Sequence, residues 1–511
     1  MNACAETMKN SLFYPIAVVL GITMAGIQLT PSPPEGERLA KMYCGTCHVY
    51  PEPALLPKAL WQKVVLPQMG YQLGIYHSDS VRATLFEQGL GGKYVRERGV
   101  FPEHPMLDLK AWRKITDFYL SNAPDALTLP SPEPITVGLR RFRTRLPALR
   151  LSPPSTTLVR FRPDGGLWLG DANTKRLYWI DEKLNVEKAA NLAEGIVGIQ
   201  RDSGGLFLTI MGSFSPTDAP VGTVVYLPNG SPRAQWLLED LQRPVHSVWA
   251  DLNNDGLTDG VVCEYAKWTG GLTYWQQRSD GSFAKTVLRY RPGAIRSYLR
   301  DLNGDGHLDI LALFGQGDEG IFRYLNDGKG NFREEPVLRF PPSWGSSSFR
   351  LVDVNGDGLE DIVYTCGDNA DYKPILKPYH GIRIYTNNGE GSYTETLFHP
   401  LHGAYDAAVV DFDNDGDMDI AAVAFFPDFQ RTPQAGFVLL ENQGNFQFDA
   451  STFPEVDQGR WMVLDVADWD GDGDVDIALG ALTFEVVPDN GEVQRWVRAG
   501  VPFVVLENTL Y

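Results

Sequence analysis

The pattern of polar and apolar positions changes character twice along the chain. Residues 11–29, SLFYPIAVVLGITMAGIQL, carry no charge, and Lys9 stands just ahead of them. A run of that length suits a bilayer-spanning anchor and equally a long signal peptide. The stretch EGERLAKMY (35–43) then reads as a helix. Far downstream the pattern becomes one of short apolar runs, DILALF (309–314), DIVYT (361–365), DIAAVAF (419–425) and DIALGA (476–481). Each is entered from a loop rich in Asp and Gly. Such runs predict strands. The 51 Gly and 35 Pro in 511 residues agree with many turns, and the length predicts two or three domains.

The strand-rich part repeats itself. DLNNDGLTD begins at 251, DLNGDGHLD at 301, DVNGDGLED at 353, DFDNDGDMD at 411 and DWDGDGDVD at 468. A period of about 50 to 58 residues suits one four-stranded propeller blade. In Asp-x-Asn/Asp-x-Asp-Gly-x-x-Asp, oxygens at positions 1, 3, 5 and 9, with a backbone carbonyl near 7, make a cage for Ca²⁺. The expected ligands are Asp251, Asn253, Asp255 and Asp259; Asp301, Asn303, Asp305 and Asp309; Asp353, Asn355, Asp357 and Asp361; Asp411, Asp413, Asp415 and Asp419; and Asp468, Asp470, Asp472 and Asp476. Gly at position 6 permits the sharp turn. An EF-hand would need Glu at position 12 and flanking helices, whereas strands follow here. The segments resemble the FG-GAP/VCBS repeats of integrin-like β-propellers over roughly 240–511. Residues 151–240 lack the loop but keep the rhythm, as in TLVRFRPDGGLWLGDANTKRLYWID, and read as two further blades. Two and five predict seven blades. The last blade ends at FVVLENTLY without an outer strand, and ITVGLRRFR (135–143) is the expected closing strand.

Charge follows from the loops. The formal net charge is −19, which excludes nucleic acid as a partner. The five loops hold twenty carboxylates, so ion sites account for the acidity, and up to five Ca²⁺ are expected. Of the five cysteines, Cys4 precedes the apolar run, while Cys263 and Cys366 lie in strand runs and read as small buried hydrophobes.

The remaining two form Cys44-x-x-Cys47-His48 within KMYCGTCHVYP. A structural zinc site needs four ligands, and no second Cys-x-x-Cys exists. A thioredoxin-like dithiol belongs to a βαβ unit, not to the end of a helix. Cys-x-x-Cys-His fits covalent haem c, with Cys44 and Cys47 as thioether anchors and His48 as an axial iron ligand. This part resembles the class I cytochrome c domains over 36–125, which implies a closing helix at DLKAWRKITDFYLSNAP (108–124) and a methionine as the second axial ligand. Met69 is the expected one, with Met106 the runner-up and His77 and His104 also at hand. The Pro-rich stretch 126–134 reads as a linker to a propeller over 135–511.

The expected architecture is therefore a small all-α cytochrome c domain followed by an all-β seven-bladed propeller, behind an N-terminal signal or anchor over residues 1–30. The expected function is electron transfer by an exported protein, periplasmic or at the cell surface, with membrane anchoring through 11–29 as an option. Its partner would be a redox protein or respiratory-chain component docked on the propeller. A second reading is a dehydrogenase whose propeller binds substrate and whose cytochrome accepts electrons. Counting back five residues from three loops gives His246, Arg296 and Asp406 as candidates at its mouth; no flavin, nicotinamide or quinone motif accompanies them. A third reading, adhesion or polysaccharide binding, rests on fold analogy.

Overall fold

The computed structural model describes residues 33–231, 233–370, 374–483 and 490–510. The apolar run 11–29 and Cys4 lie outside the described residues. No helix among the described residues is long and apolar enough to cross a membrane.

The N-terminal part is helical. Helix α1 (Glu35–Cys44) crosses α6 (Leu109–Asn122) closely. Gly36 allows this approach, because a Cβ there would collide with the Lys114 carbonyl and, at 2.7 Å, with Phe118 Cβ. Asp108 caps α6 by accepting from the Lys110 and Ala111 amides, both at 2.8 Å. Between them, α2 (Lys58–Leu60) runs through a π turn at Trp61–Val65 into α3 (Leu66–Gln72). Pro67 explains the π turn: it has no N–H for the carbonyl four residues back, and the wider turn moves that carbonyl aside. Helices α4 (Asp79–Thr84) and α5 (Gly89–Glu97) complete this part. Its core gathers Leu39, Ala40, Trp61, Leu66, Ile115 and Tyr119.

The rest is a ring of seven antiparallel sheets, at 156–191, 196–241, 244–289, 294–339, 346–400, 404–452 and 461–508, numbered here as blades 1 to 7. In each blade the first strand lies innermost. The second strand is buried along its whole length, as in Asp309–Phe314, because a neighbouring blade covers each face. This is why these strands read as unbroken apolar runs and do not alternate. Ile310, Ala312 and Phe314 pack with Val261 and Tyr274 of blade 3, while Leu311 and Leu313 pack with Phe349 and Ile362 of blade 5. One strand thus feeds two interblade cores through its alternate positions. Cys263 and Cys366 are wholly buried within these cores, as expected. Burial pushes their thiols up to about 12 and about 11.

Closure uses an N-terminal strand, but its position differs from the expected 135–143. Phe142–Arg145 forms the fourth strand of blade 7, pairing Phe142 with Asn508 and Arg145 with Val505. Thr136–Val137 instead adds a parallel fifth strand to blade 6, opposite Ser451 and Thr452. Gly138, at φ +115°, bends the chain between the two. A single straight strand would have remained on one blade. Arg141 follows the bend and its guanidinium binds Glu441 at 2.7 Å and Asp413 at 3.0 Å, both in blade 6. The N-terminal segment therefore staples blades 6 and 7 together.

The helical part sits on the end of the ring formed by the loops between second and third strands. Glu87 accepts from Thr217 Oγ1 at 2.9 Å and the Asp218 amide at 2.8 Å. Phe101 meets Trp268 edge-on at 5.4 Å, Arg98 covers Tyr290 at 4.6 Å, and Tyr379 donates to the Leu55 carbonyl at 2.9 Å. Blades 2 to 5 share this contact. The acidic loops join first to second strands and so occupy the opposite end.

A Cβ at Gly138 would meet no atom within 4 Å, so its requirement is purely conformational. Gly138→Val is expected to cost about 1–3 kcal/mol in urea unfolding, with faster amide exchange confined at first to 136–145 and the strands it pairs with.

Candidate functional site

The Cys-x-x-Cys-His turn begins where α1 stops. Gly45 ends the helix, and Thr46 Oγ1 donates to the Tyr43 carbonyl at 2.7 Å, holding the turn 3.7 Å from Cys47 Sγ. Cys44 is half-buried and Cys47 exposed, and both thiols are free. Burial raises the Cys44 thiol to about 11, against the opposing pull of a hydrogen bond with Tyr119. His48 Nδ1 lies 2.8 Å from the Val49 carbonyl. That contact makes Nδ1 the protonated nitrogen and leaves the Nε2 lone pair for a metal. Burial also holds His48 below the usual histidine range, while Asp318 and Arg339 of blade 4 act on it in opposite directions. The imidazole therefore lies close to the propeller seam, which its sequence position did not reveal.

Two tyrosines stand beside the turn. Tyr119 donates to the Pro51 carbonyl at 2.8 Å, and Tyr50 packs against it with ring centroids 6.5 Å apart and its hydroxyl turned toward that of Tyr119. Met69 is half-buried on α3. Met106 is 62% exposed, yet its amide donates to the Leu73 carbonyl at 2.9 Å, tying its segment to the end of α3. His77 and His104 are exposed.

The five acidic loops share one geometry. Gly256, Gly306, Gly358, Gly416 and Gly473, all at position 6, have φ between +84° and +99°. No neighbour lies within 4 Å of a Cβ built there, so backbone handedness selects glycine. The first aspartate turns back to accept from the loop amides, as when Asp301 binds the Gly304 amide at 2.8 Å and the Gly306 amide at 2.9 Å. These amides lower Asp301 and Asp353. In blades 6 and 7 the carboxylate oxygens of Asp411, Asp413 and Asp419, and of Asp468, Asp470 and Asp476, lie within 4.8 Å of one another.

The ninth aspartate has a second role that the motif alone did not disclose. Asp259, Asp309, Asp361, Asp419 and Asp476 are all buried. One oxygen of each accepts from the amide of loop position 2, at 2.8–3.3 Å. The other accepts from the last amides of the third strand, those of Gln277, Asn326, Asn387, Asn442 and Asn508, at 2.7–2.8 Å. These asparagines tie further. Asn326 Nδ2 donates to the Leu252 carbonyl of blade 3 at 2.7 Å, and Asn508 Nδ2 to the Phe412 carbonyl of blade 6 at 2.9 Å. Burial and the neighbouring acids push Asp419 up to about 6 and Asp476 to about 7.

Of the mouth candidates, the structure brings Arg296 and Asp406 together at 3.4 Å. They belong to blades 4 and 6, so the pair spans the axis past blade 5. Asp406 is also bound by Arg350 Nη2 at 2.7 Å, Ser348 Oγ at 2.6 Å and its neighbouring amide of Ala407 at 3.0 Å. The two guanidiniums hold it below the ordinary carboxylate range against burial. His246 Nδ1 accepts from the Ser297 amide at 3.3 Å. Burial and three nearby arginines lower it to about 3, so it is neutral at physiological pH. Arg160, Ser348, Arg350 and Asp465 were not singled out in sequence. They share the inner strands with the three candidates, which were found only by counting back five residues from the loops.

Residues 301–364 and 375–422 match the family described as FG-GAP-like repeat. They include three of the five acidic loops. Among solved structures, the chain is similar to selenomethionine-substituted virginiamycin B lyase from Staphylococcus aureus, at 11% identity and TM-score 0.45 over 71% of this chain and 98% of that one. It is similar to a streptogramin B lyase at 12% identity and TM-score 0.45 over 72% and 97%. The chain carries FG-GAP-like repeats on a seven-bladed β-propeller.

The two roles within one loop separate by mutation. In chelator, Asp309→Ala is expected to cost about 3 kcal/mol or more, because the Leu302 and Asn326 amides lose their buried acceptor. The exposed Asp305→Ala is expected to cost less than about 1 kcal/mol. Urea unfolding of both variants checks this.

Proposed function

We propose that this chain is an exported c-type haem protein that transfers single electrons, with its propeller serving as a calcium-stabilised platform for a redox partner or respiratory-chain component. The observation that carries the reading is His48. Directly after Cys44 and Cys47, at the end of a helix, its Nδ1 is held by the Val49 carbonyl and its Nε2 is left available. Cys44 and Cys47 would hold the two vinyl positions, His48 the proximal iron position and Met69 the distal one, with Met106 as the second candidate. When bound, the haem supplies a one-electron couple at iron. The protein's residues position it: α1 and the Thr46 turn aim the thiols, and the Val49 carbonyl fixes the imidazole tautomer. The seam with blade 4 brings charged propeller groups near His48.

The acidic loops support the calcium part. Position 6 adopts the backbone that a tight cage needs, and in blades 6 and 7 three carboxylates converge. Their mutual repulsion would be relieved by a divalent cation. Arg141 already neutralises part of the blade 6 loop through Asp413, so that loop should bind calcium more weakly than its neighbours.

Two measurements test the proposal. After expression with haem-attachment machinery, the protein should carry one covalent haem, lost in Cys44→Ala/Cys47→Ala. Its reduced spectrum should be six-coordinate and unmoved by carbon monoxide. Absence of covalent haem would refute the electron-transfer reading, and haem reduction on adding a small substrate would favour a dehydrogenase. Calcium should raise the melting temperature and chelator lower it, each saturated site adding about 2.7 kcal/mol at a hundred-fold excess over its Kd. A melting curve indifferent to both would remove calcium from the reading.

A further inference from the structure

The centre of the ring holds a charge that its own partners do not balance. Three guanidiniums converge there from the inner strands, Arg160 of blade 1, Arg296 of blade 4 and Arg350 of blade 5. Two carboxylates face them, Asp406 of blade 6 and Asp465 of blade 7. Asp465 binds Arg160 Nη1 at 3.0 Å and the Phe161 amide at 2.8 Å. Asp406 is shared between Arg350 at 2.7 Å and Arg296 at 3.4 Å. His246, Tyr298 and Cys263 also face Arg296, and Tyr405 faces Asp406; the His246 Nδ1 is already used as an acceptor. The set carries one net positive charge.

That charge has a location. Arg296 Nη1 is buried and has no acceptor placed for it among the described residues, while Nη2 makes the long contact to Asp406 and the Tyr298 side chain also lies against the guanidinium. A guanidinium nitrogen without an acceptor in a shielded position carries a desolvation cost that an incoming anion would offset. The channel is also asymmetric. Toward the helical part, Met211, Phe214, Phe425, Phe426 and Met462 pack into an apolar plug. Toward the acidic-loop end, the side chain of Arg160 is 46% exposed, against 21% for Arg296 and 24% for Arg350. Arg350 and Asp465 stand at the same level as Arg160 and are more covered, so solvent reaches the network from this end beside Arg160, and the end without the plug is the open one.

We propose that the propeller channel is a binding site for a small oxyanion, either an inorganic one or a short carboxylate. The anion would enter from the acidic-loop end, accept from Arg296 Nη1 and lie between Arg296 and the guanidiniums of Arg160 and Arg350. Planar two-oxygen acceptors and tetrahedral oxyanions both match the fork of a guanidinium. Asp406 competes with the ligand for Arg296 and Arg350 and so keeps the site weak. The site involves no haem residue, and its occupancy is independent of the redox reading.

The test is isothermal titration of the full-length protein, with whatever haem it carries, against sodium sulfate, and separately against sodium acetate, at fixed ionic strength. Saturating calcium is present because the acidic loops share the open end. Saturable binding of sulfate alone identifies an inorganic oxyanion, and saturation by acetate identifies a carboxylate; both support the site. Arg296→Gln is expected to weaken binding at least ten-fold. Asp406→Asn is expected to tighten it about ten-fold, since it frees two guanidiniums, and this gain is not a result that simple misfolding could produce. Absence of saturation by either anion up to about 10 mM, or binding that Arg296→Gln and Asp406→Asn both leave unchanged, would overturn the proposal.

Discussion

A buried aspartate that holds two backbone amides is the interaction on which the five acidic-loop blades depend. Within each of blades 3 to 7 the carboxylate at the start of the second strand joins its own loop to the end of the third strand. Hydrogen bonds to a charged acceptor contribute about 1.5–3 kcal/mol each, and here they occur as pairs in five places. They fix the loop against the sheet in these five blades, whereas the second strands of blades 1 and 2 are buried as fully without the clasp. The asparagine at the third-strand end extends the clasp, in blades 4 and 7 reaching the preceding blade. Local loop geometry and the packing of the ring are thus coupled through a few polar atoms.

The two ends of the ring then acquire different chemistry. Loops between second and third strands vary in length and composition, and they carry the contacts to the helical part. Loops between first and second strands are constrained by the clasp and concentrate carboxylate charge. Between them the channel changes from an apolar plug to a charged network. A group held in the helical part near blade 4 is therefore remote from the acidic loops, so cation binding would act on it through propeller rigidity and not by direct contact.

The period of the acidic loops and the unbroken apolar runs behind them were sufficient to read blades 3 to 7 from the chain, and the weaker rhythm of residues 151–240 sufficed for blades 1 and 2. The glycine at position 6 was legible for the same reason, since its φ is a local property of the turn. The double role of Asp309 and its counterparts was not. A nine-residue motif specifies oxygens, but whether an oxygen faces an ion, an amide or both depends on a third strand 17 to 32 residues further on. The closing strand was legible in kind and misplaced in position, because nothing local distinguishes 135–137 from 142–145 except Gly138, whose bend has meaning only between two blades.

Local chemistry therefore determined what could be decided within a few residues: the Cys44–Cys47–His48 spacing, the left-handed glycines, the strand runs and the count of blades. Tertiary structure alone decided which distant groups meet. It placed Arg296 against Asp406 across the axis, left Arg296 Nη1 without an acceptor, brought His48 to the seam with blade 4 and led the N-terminal segment from blade 6 to blade 7. The reason is physical. Turn conformation and burial periodicity are set by short-range sterics and solvation, whereas ion pairing and closure depend on a ring geometry that exists only once all seven blades have packed.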